Sequence, residues 1–309
     1  MTITSAALVG LGAVGAMYAW RLQNYMGFDA LEILVDAERF ERYKKDGIFL
    51  NGKRTDFNLK LTGDIERSVD LVIIATKNNH LDEVLELIEP CVGSHTMLLS
   101  LLNGLDSEDL LAKRFGEQHV LYGFTTALDS TRHDNSIDFS NEGTVYIGES
   151  NNQVTERLAA VKTLLNESGI ACKIPQDIHL EMWSKFMVNV SINTISAITR
   201  ATYGQCVSIG PIRNLIIETQ KEVIALARAS KIIGLDEHYI DRYQAIFASL
   251  EPSGKTSMLQ DVEAKRPTEN QWFCKKASRI GDELGIATPL CDFLGELVEG
   301  IDMLAASMN

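Results

Sequence analysis

A glycine-rich turn near the N-terminus constrains the fold of this chain more than any other feature. The apolar run Ala6 to Val9 leads into Gly10-Leu11-Gly12-Ala13-Val14-Gly15, and helix-forming residues follow. In this pattern Gly10 permits a tight turn, Gly12 lets the backbone approach a pyrophosphate, and Gly15 allows the helix to pack closely. The context between a strand and a helix predicts a dinucleotide-binding loop, and a plain flexible turn is the alternative.

The second apolar run predicts which dinucleotide is bound. Leu31 to Val35 ends in Asp36, about 20 residues past the last glycine, where a carboxylate accepts hydrogen bonds from the adenosine ribose. The same carboxylate repels a 2′-phosphate, so NADH is favoured over NADPH. Two alternatives stay open: Asp36 is only a solvent-facing aspartate, or neighbouring Arg39 covers a phosphate.

Up to about Ile174, short apolar runs alternate with amphipathic stretches, which is typical of a parallel sheet covered by helices. Further predicted strands are Leu71 to Ala75, Thr96 to Leu101 and Val120 to Phe124. Ser136 to Ser140 and Thr144 to Ile147 flank Asn141 to Gly143, and this arrangement predicts a hairpin.

After Pro175 the pattern becomes helical. The predicted helices are Ile178 to Arg200, Pro211 to Ile233, Glu237 to Leu250 and Thr268 to Leu284. We therefore predict an α/β fold, with an N-terminal Rossmann-type dinucleotide-binding domain over residues 1–175. An all-helical C-terminal domain over residues 176–309 follows, carries the substrate and catalytic groups, and faces the first domain across a cleft.

Charge and composition exclude several classes of protein. A net charge of −13 over 309 residues argues against nucleic acid and anionic membranes as partners. No apolar stretch approaches about 18 residues, and Met1 to Val9 lacks a signal-peptide pattern, so we expect a cytoplasmic protein. The five cysteines contain no C-x-x-C pair, which predicts buried, reduced thiols and no metal site.

A polar stripe interrupts the first apolar helix of the second domain. Glu181, Lys185, Asn189 and Asn193 recur every four residues and share one helical face. Such a face is either solvated, with an ion pair between Glu181 and Lys185, or a site for hydride-transfer chemistry. In the second case the lysine supplies a proton to the oxygen that gains charge, and the amides orient polar groups. Spacing alone leaves both open.

Taken together, the motifs resemble those of the ketopantoate reductase family, in the same order and over almost the whole chain. They are the glycine loop, Thr76-Lys77, Leu102-Asn103-Gly104, Glu181 to Asn193, and Ser257 to Asp261 followed by Lys265 to Glu269. The resemblance implies reduction of 2-dehydropantoate to pantoate by a nicotinamide cofactor, in pantothenate biosynthesis, at a site between a Rossmann domain and a helical domain.

The resemblance also implies residue roles. Lys185 would be the general acid on the keto oxygen, and Glu269 would bind a substrate hydroxyl. Asn103 and Ser257 would hold the carboxylate or the nicotinamide, Asn189 and Asn193 the polar tail, and Lys77 would lie near the nicotinamide. Local alternatives remain: Glu269 in the first turn of a helix, Asn103-Gly104 as a simple turn, and Ser257 as a helix cap.

Two departures from the family pattern bear on specificity. Glu269 is followed by Asn270 to Lys275, including Trp272 and Phe273, where relatives carry Ile-Asp and then Asn-Gly. Many relatives also carry arginine in place of Asp36. The partner is expected to be a small 2-oxo acid, and a homodimer is possible. A different 2-oxo or hydroxy acid is the first alternative, and a non-catalytic nicotinamide-binding regulatory protein is the second.

Overall fold

The computed structural model describes residues 1–65 and 67–307. The chain divides into two compact units, of which the first spans Met1–Ile178 and the second begins at His179. The first unit combines a sheet with covering helices and the second is helical, which confirms the predicted α/β fold class. Among the described residues, no helix combines the length and apolar character needed to cross a lipid bilayer.

A ten-stranded sheet forms the centre of the first unit. The strands are β1 (Ala6–Val9), β2 (Leu31–Leu34), β3 (Ile48–Leu50), β4 (Lys53–Thr55), β5 (Leu59–Lys60), β6 (Leu71–Ile74), β7 (Met97–Ser100), β8 (Val120–His133), β9 (Ser136–Gly148) and β10 (Cys172–Lys173). Nine of them follow the order β4-β3-β9-β8-β7-β6-β1-β2-β5, and β10 pairs with β9. β1 pairs in parallel with β2 and β6, so the loops after these strands meet at one edge.

The predicted hairpin around Asn141 to Gly143 is wrong. β9 is one continuous strand, and it pairs antiparallel with β8 from Tyr122↔Gly148 to His133↔Ser136. The chain reverses instead at Asp134, which has a positive φ of 52°. The local sequence did not predict this pairing, because β8 continues well past Phe124 through mostly polar residues that lack the apolar pattern of a buried strand. Pairing with β8 therefore holds the turn-forming residues of β9 in a strand.

Helices cover both faces of the sheet. They are α1 (Ala13–Met26), α2 (Ala37–Asp46), α3 (Leu81–Ile88), α4 (Ser107–Phe115) and α5 (Glu156–Glu167). α1 and α5 share one apolar core with residues of β8 and β9, whereas α3 and α4 pack in a second core on the other side. α1 is thereby fixed behind the glycine loop from which it starts.

The second unit consists of helices α6 to α13. They are α6 (Ile178–Val188), α7 (Thr194–Thr199), α8 (Tyr203–Ser208), α9 (Gly210–Ala229), α10 (Glu237–Ser249), α11 (Ser257–Glu263), α12 (Cys274–Leu284) and α13 (Pro289–Ser307). A π-helical turn, Asn189–Asn193, joins α6 to α7. All five cysteines are free and buried, as predicted.

The predicted helix from Thr268 begins too early. α12 starts only at Cys274, because Phe273 has non-helical angles of φ −116° and ψ −99°. The preceding residues are held by tertiary contacts: Thr268 Oγ1 donates to the Asp302 carboxylate at 2.6 Å. Asn270 Nδ2 donates to the Gly295 carbonyl at 2.8 Å. The segment carrying Glu269 is thus an irregular turn fixed against α13.

Candidate active site

The glycine loop has the geometry that a pyrophosphate site needs. A Cβ on Gly10, whose φ is +99°, would lie 2.6 Å from the Ala75 carbonyl oxygen. A Cβ on Gly15 would lie 1.8 Å from the Gly10 oxygen, whereas one on Gly12 would meet only Ala75 O at 3.9 Å. Gly12 is also the N-cap residue of α1, and as a glycine it has no side chain to accept a hydrogen bond from the helix amides. Gly10 and Gly15 are therefore packed against neighbouring backbone with no room for a side chain. The space beside Gly12 is open, and an anion can approach the helix N-terminus there.

The loops after β6 and β7 adjoin this glycine loop. A Cβ on Gly10 would also touch Thr76 Cγ2 at 2.7 Å, so the Thr76-Lys77 motif lies beside it. Asn78 Nδ2 donates to the Asn103 carbonyl at 2.8 Å and joins the two loops. Thr76 Oγ1 is buried and has no hydrogen-bond partner among the described residues. The structure thus brings the glycine loop, Lys77 and Asn103 to one edge of the sheet.

A buried polar chain anchors the loop that carries Asn103. Ser100 Oγ donates to Ser107 Oγ at 2.8 Å, and Ser107 Oγ donates to Glu108 Oε2 at 3.0 Å. Ser100 Oγ also accepts from the Leu102 amide at 3.3 Å. Burial raises the pKa of Glu108 to about 7. The sequence patterns did not predict this chain of contacts, although a glutamate directly after a serine, shortly beyond the predicted strand Thr96 to Leu101, was a visible signal.

Asp36 is the N-cap of α2. Its Oδ1 accepts from the Arg39 amide at 2.7 Å, and its Oδ2 pairs with the Arg39 guanidinium. The carboxylate stays about half exposed, with 47% of its side-chain surface accessible. The Arg39 guanidinium, which the sequence offered as a cover for a 2′-phosphate, is thus paired with Asp36.

The polar stripe of the second unit is not a solvated face at its asparagines. Asn189 and Asn193 are 6% and 8% exposed. Asn193 Nδ2 donates to Asn189 Oδ1 at 3.3 Å, and Asn189 Nδ2 is buried without a partner in the part of the chain described. Both lie in the π-helical turn, a distortion frequent at functional sites. Lys185 is partly buried on α6, and Glu181 lies 3.7 Å from Arg242.

Ser257 does not cap α11, so that alternative is wrong. Thr256 is the cap, because its Oγ1 accepts from the Leu259 amide at 3.2 Å. Thr256 Oγ1 also lies 2.6 Å from Ser196 Oγ, which donates to the Asn193 carbonyl at 3.0 Å. This chain of contacts links the N-terminus of α11, where Ser257 is exposed, to the π-helical turn.

Glu269 does not lie in the first turn of α12, so the dipole-based alternative for it is also wrong. It is 8% exposed and precedes the single turn Asn270–Trp272. Phe273 has no exposed surface, so it belongs to the core of the second unit. Of the two rings that depart from the family pattern, only Trp272 keeps partial exposure.

Comparison with known protein families gives the same result as the motifs. The family model "Ketopantoate reductase PanE/ApbA" matches residues 6–152, and its C-terminal counterpart matches residues 177–302. The chain belongs to the ketopantoate reductase family. This confirms the resemblance drawn from the five motifs.

Relatives in this family match over nearly their whole length. The 2-dehydropantoate 2-reductase of Lactococcus lactis subsp. lactis (strain IL1403) is 26% identical, over 96% of this chain and 97% of the relative. That of Archaeoglobus fulgidus is 25% identical, over 98% and 99%.

Solved structures in the family share the fold. 2-Dehydropantoate 2-reductase from Geobacter metallireducens GS-15 aligns with a TM-score of 0.86 at 25% identity, covering 96% of this chain and 99% of that one. D-mandelate dehydrogenase in a ternary structure with NADH and anilino(oxo)acetate aligns with a TM-score of 0.87 at 25% identity, covering 98% and 99%. The family fold therefore accommodates more than one acid substrate.

The residues of this family member fit a nicotinamide dinucleotide. The open space over Gly12 would take the pyrophosphate, since a Cβ there would meet one atom of the described residues, Ala75 O, at 3.9 Å. The Thr76 hydroxyl, which has no hydrogen-bond partner within residues 1–65 and 67–307, lies at the same edge, where a bound group would satisfy it. Asp36 follows β2 with a half-exposed carboxylate that can accept from ribose hydroxyls.

Proposed function

We propose that this chain reduces a small 2-oxo acid with a nicotinamide cofactor, and that 2-dehydropantoate is its first candidate substrate. One observation carries the proposal: among the described residues, the buried Asn189 Nδ2 has no hydrogen-bond partner, and it lies beside Asn193 and one turn beyond Lys185. An unsatisfied buried donor is costly, and a ligand oxygen would satisfy it. Relatives that match over nearly the full length are 2-dehydropantoate 2-reductases.

The proposed reaction divides into hydride and proton delivery. A nicotinamide cofactor held at the glycine loop would supply the hydride that the keto carbon receives. Lys185 Nζ donates a hydrogen bond to the keto oxygen and gives up its proton as negative charge develops there, so the product is an alcohol. A partly buried ammonium on a rigid helix is suited to this role, because burial weakens competition from water.

The remaining predicted residues would orient the substrate. Asn189 and Asn193 present amides that donate to the polar tail, and Glu269 accepts a hydrogen bond from a substrate hydroxyl. Ser257 and Asn103 would hold the carboxylate or the nicotinamide, and Lys77 would lie near the nicotinamide. A substrate held by these groups would present its keto group in a fixed orientation.

We propose NADH as the preferred cofactor. The support is the half-exposed Asp36 carboxylate, which is already fixed in place as the α2 cap. Gly10, Leu11, Gly12, Ala13, Val14 and Gly15 would surround the pyrophosphate. A 2′-phosphate would face the Asp36 carboxylate, and it would compete with that group for the Arg39 guanidinium.

A hydroxy-acid dehydrogenase is the second candidate. D-mandelate dehydrogenase, in its ternary structure with NADH and anilino(oxo)acetate, has the same fold at 25% identity. Trp272, three residues after Glu269, is one of the two large rings that depart from the family pattern, and it keeps partial exposure. On this proposal the chain acts on a 2-oxo or hydroxy acid other than ketopantoate.

Initial rates of reduced-nicotinamide absorbance loss test these candidates. Purified protein is given NADH or NADPH with ketopantoate, with unbranched and branched 2-oxo acids, or with the 2-oxo acid of mandelate. Fast oxidation with ketopantoate supports the first candidate, and activity only with the bulkier acid supports the second. Tight cofactor binding without turnover on any acid would contradict both and favour a regulatory protein.

The homodimer and the cytoplasmic location stay predictions. Phe293 and Leu304, 63% and 64% exposed on α13, are apolar side chains that a second copy could cover. Light scattering on the purified protein measures the mass in solution and decides between monomer and dimer.

A further inference from the structure

The tip of the β8–β9 hairpin places Arg132 on the glycine loop. One terminal guanidinium nitrogen of Arg132 donates to the Leu11 carbonyl, 121 positions away in the chain. The other donates to Tyr43 Oη on α2 at 3.1 Å, and Nε donates to the Asp134 carbonyl at 2.7 Å. One side chain therefore joins the glycine loop, α2 and the hairpin turn.

The bond to Leu11 fixes the backbone next to the open glycine. In a trans peptide the carbonyl oxygen and the following N–H point to opposite sides. Because Arg132 holds the Leu11 oxygen, it sets the direction of the Gly12 N–H, which points away from the guanidinium. A charged donor on the carbonyl also polarises that peptide and strengthens its N–H as a donor. Gly12 is the glycine over which the loop is open.

Tyr43 makes the bridge rigid. It is 4% exposed, and the Arg42 and Arg132 Cζ atoms lie 5.2 Å and 5.8 Å from its ring centroid. The helix that carries Tyr43 begins at its cap, Asp36. Arg132 therefore connects both elements that contact the cofactor in the proposed function, the glycine loop and the helix capped by Asp36.

We propose that Arg132 is a positioning residue for the dinucleotide site, holding the Leu11–Gly12 peptide in the orientation that receives the pyrophosphate. This rests on the proposed function, in which a nicotinamide dinucleotide binds the glycine loop. Arg132→Ala should raise the NADH dissociation constant by about tenfold or more, the scale of a lost charged hydrogen bond. The turnover number at saturating NADH should stay within about twofold, since Arg132 touches no reacting atom.

Arg21→Ala is the matched control. Arg21 pairs with Glu142 at 2.6 Å and attaches the same hairpin to α1, away from the glycine loop. If Arg132 acts only by attaching the hairpin, both alanine variants should weaken NADH binding equally. The proposal expects Arg21→Ala to change thermal stability and leave the NADH dissociation constant within about twofold of that of the unmodified protein.

Arg132→Lys separates geometry from charge. Lysine keeps the positive charge but cannot reach Leu11, Tyr43 and Asp134 together, so we expect the NADH affinity to stay reduced. Full recovery with lysine at low salt would overturn the positioning role in favour of a general charge effect. Tyr43→Phe removes the Tyr43 hydroxyl that accepts from Arg132, and it should weaken NADH binding by a smaller factor than Arg132→Ala does. This variant provides the test if Arg132→Ala does not fold.

Fluorescence titration with NADH measures each dissociation constant, and steady-state kinetics separates KM from kcat. A dissociation constant for Arg132→Ala within about twofold of that of the unmodified protein would overturn the inference alone. Failure of the unmodified protein to bind either NADH or NADPH would overturn the proposed function as well. The two failures are therefore distinguishable.

Discussion

A Cβ atom on Gly15 would lie 1.8 Å from the carbonyl oxygen of Gly10. Gly15→Ala must therefore displace the backbone of the loop or of α1, and we expect a clear fall in melting temperature and loss of NADH binding. Gly12→Ala is the contrast, because its Cβ would meet only Ala75 O, at 3.9 Å. It should melt near the temperature of the unmodified protein but bind NADH at least about tenfold more weakly, since the methyl group occupies the space for the pyrophosphate. Thermal melts with NADH titrations check both, and normal binding by Gly15→Ala would contradict the geometry.

Lys185→Ala should lower kcat by about 10²- to 10⁴-fold, the scale for losing a positioned acid. The NADH dissociation constant should barely change, because the residues predicted to hold the pyrophosphate and the ribose lie on the first unit. Lys221→Ala is a suitable control, since Lys221 is exposed on α9 and pairs with Glu218 at 2.8 Å. Equal activity losses in the two variants would remove Lys185 from the proposed chemistry.

Asp36→Asn should shift cofactor preference toward NADPH without destabilising α2. Asparagine caps a helix as well as aspartate does, whereas Asp36→Ala should lose about 1 kcal/mol of stability with the cap. Removing the carboxylate removes the repulsion of a 2′-phosphate, and Asp36→Arg should shift the preference further. The ratio of kcat/KM for the two cofactors is the measurement. A preference of the unmodified protein for NADPH would refute the NADH proposal.

Glu108 should make the first unit less stable as pH rises through neutrality. Burial raises its folded-state pKa from 4.5 to about 7, so the unfolded chain ionises first and stability falls between those two values. Above about pH 7 both states are ionised and this loss is constant. The side chain of Glu108→Gln cannot ionise. At pH 8 the free energy of unfolding of this variant should exceed that of the unmodified protein by up to about 3 kcal/mol, at about 1.4 kcal/mol per pKa unit. Denaturant unfolding at pH 5 and pH 8 tests this, and equal pH dependence in both proteins would contradict it.

Local patterns predicted much of the fold. The strand Ala6–Val9 and the helix that starts after Gly12 follow from an apolar run and three glycines within a few residues. The helical character of the second unit follows from the 3.6-residue periodicity of long segments. Errors occurred where distant contacts replaced local preference, as at Asn141 to Gly143, which pairing with β8 holds in a strand.

In the candidate site, too, local patterns predicted some features and distant contacts decided others. The spacing in the sequence predicted Lys185, Asn189 and Asn193. Burial of the two asparagines, and an Asn189 Nδ2 without a partner in the described part of the chain, became visible only in the folded helix and its π-helical turn. Likewise, Thr256 rather than Ser257 accepts the capping bond of α11. Which residue caps a helix depends on the backbone angles at that residue. Serine and threonine are both good caps, so the sequence Thr256-Ser257 does not show which of the two has the capping angles.

By itself, the sequence determined the family, the glycine loop and the residue types available for chemistry, because each depends on short spacings along the chain. Tertiary structure alone decided that Arg132 reaches Leu11 across 121 residues and that Glu108 is buried and bonded to Ser107. The physical reason is that hydrogen-bond partners and burial depend on which strands and helices pack together. A local pattern specifies the element but not its neighbours.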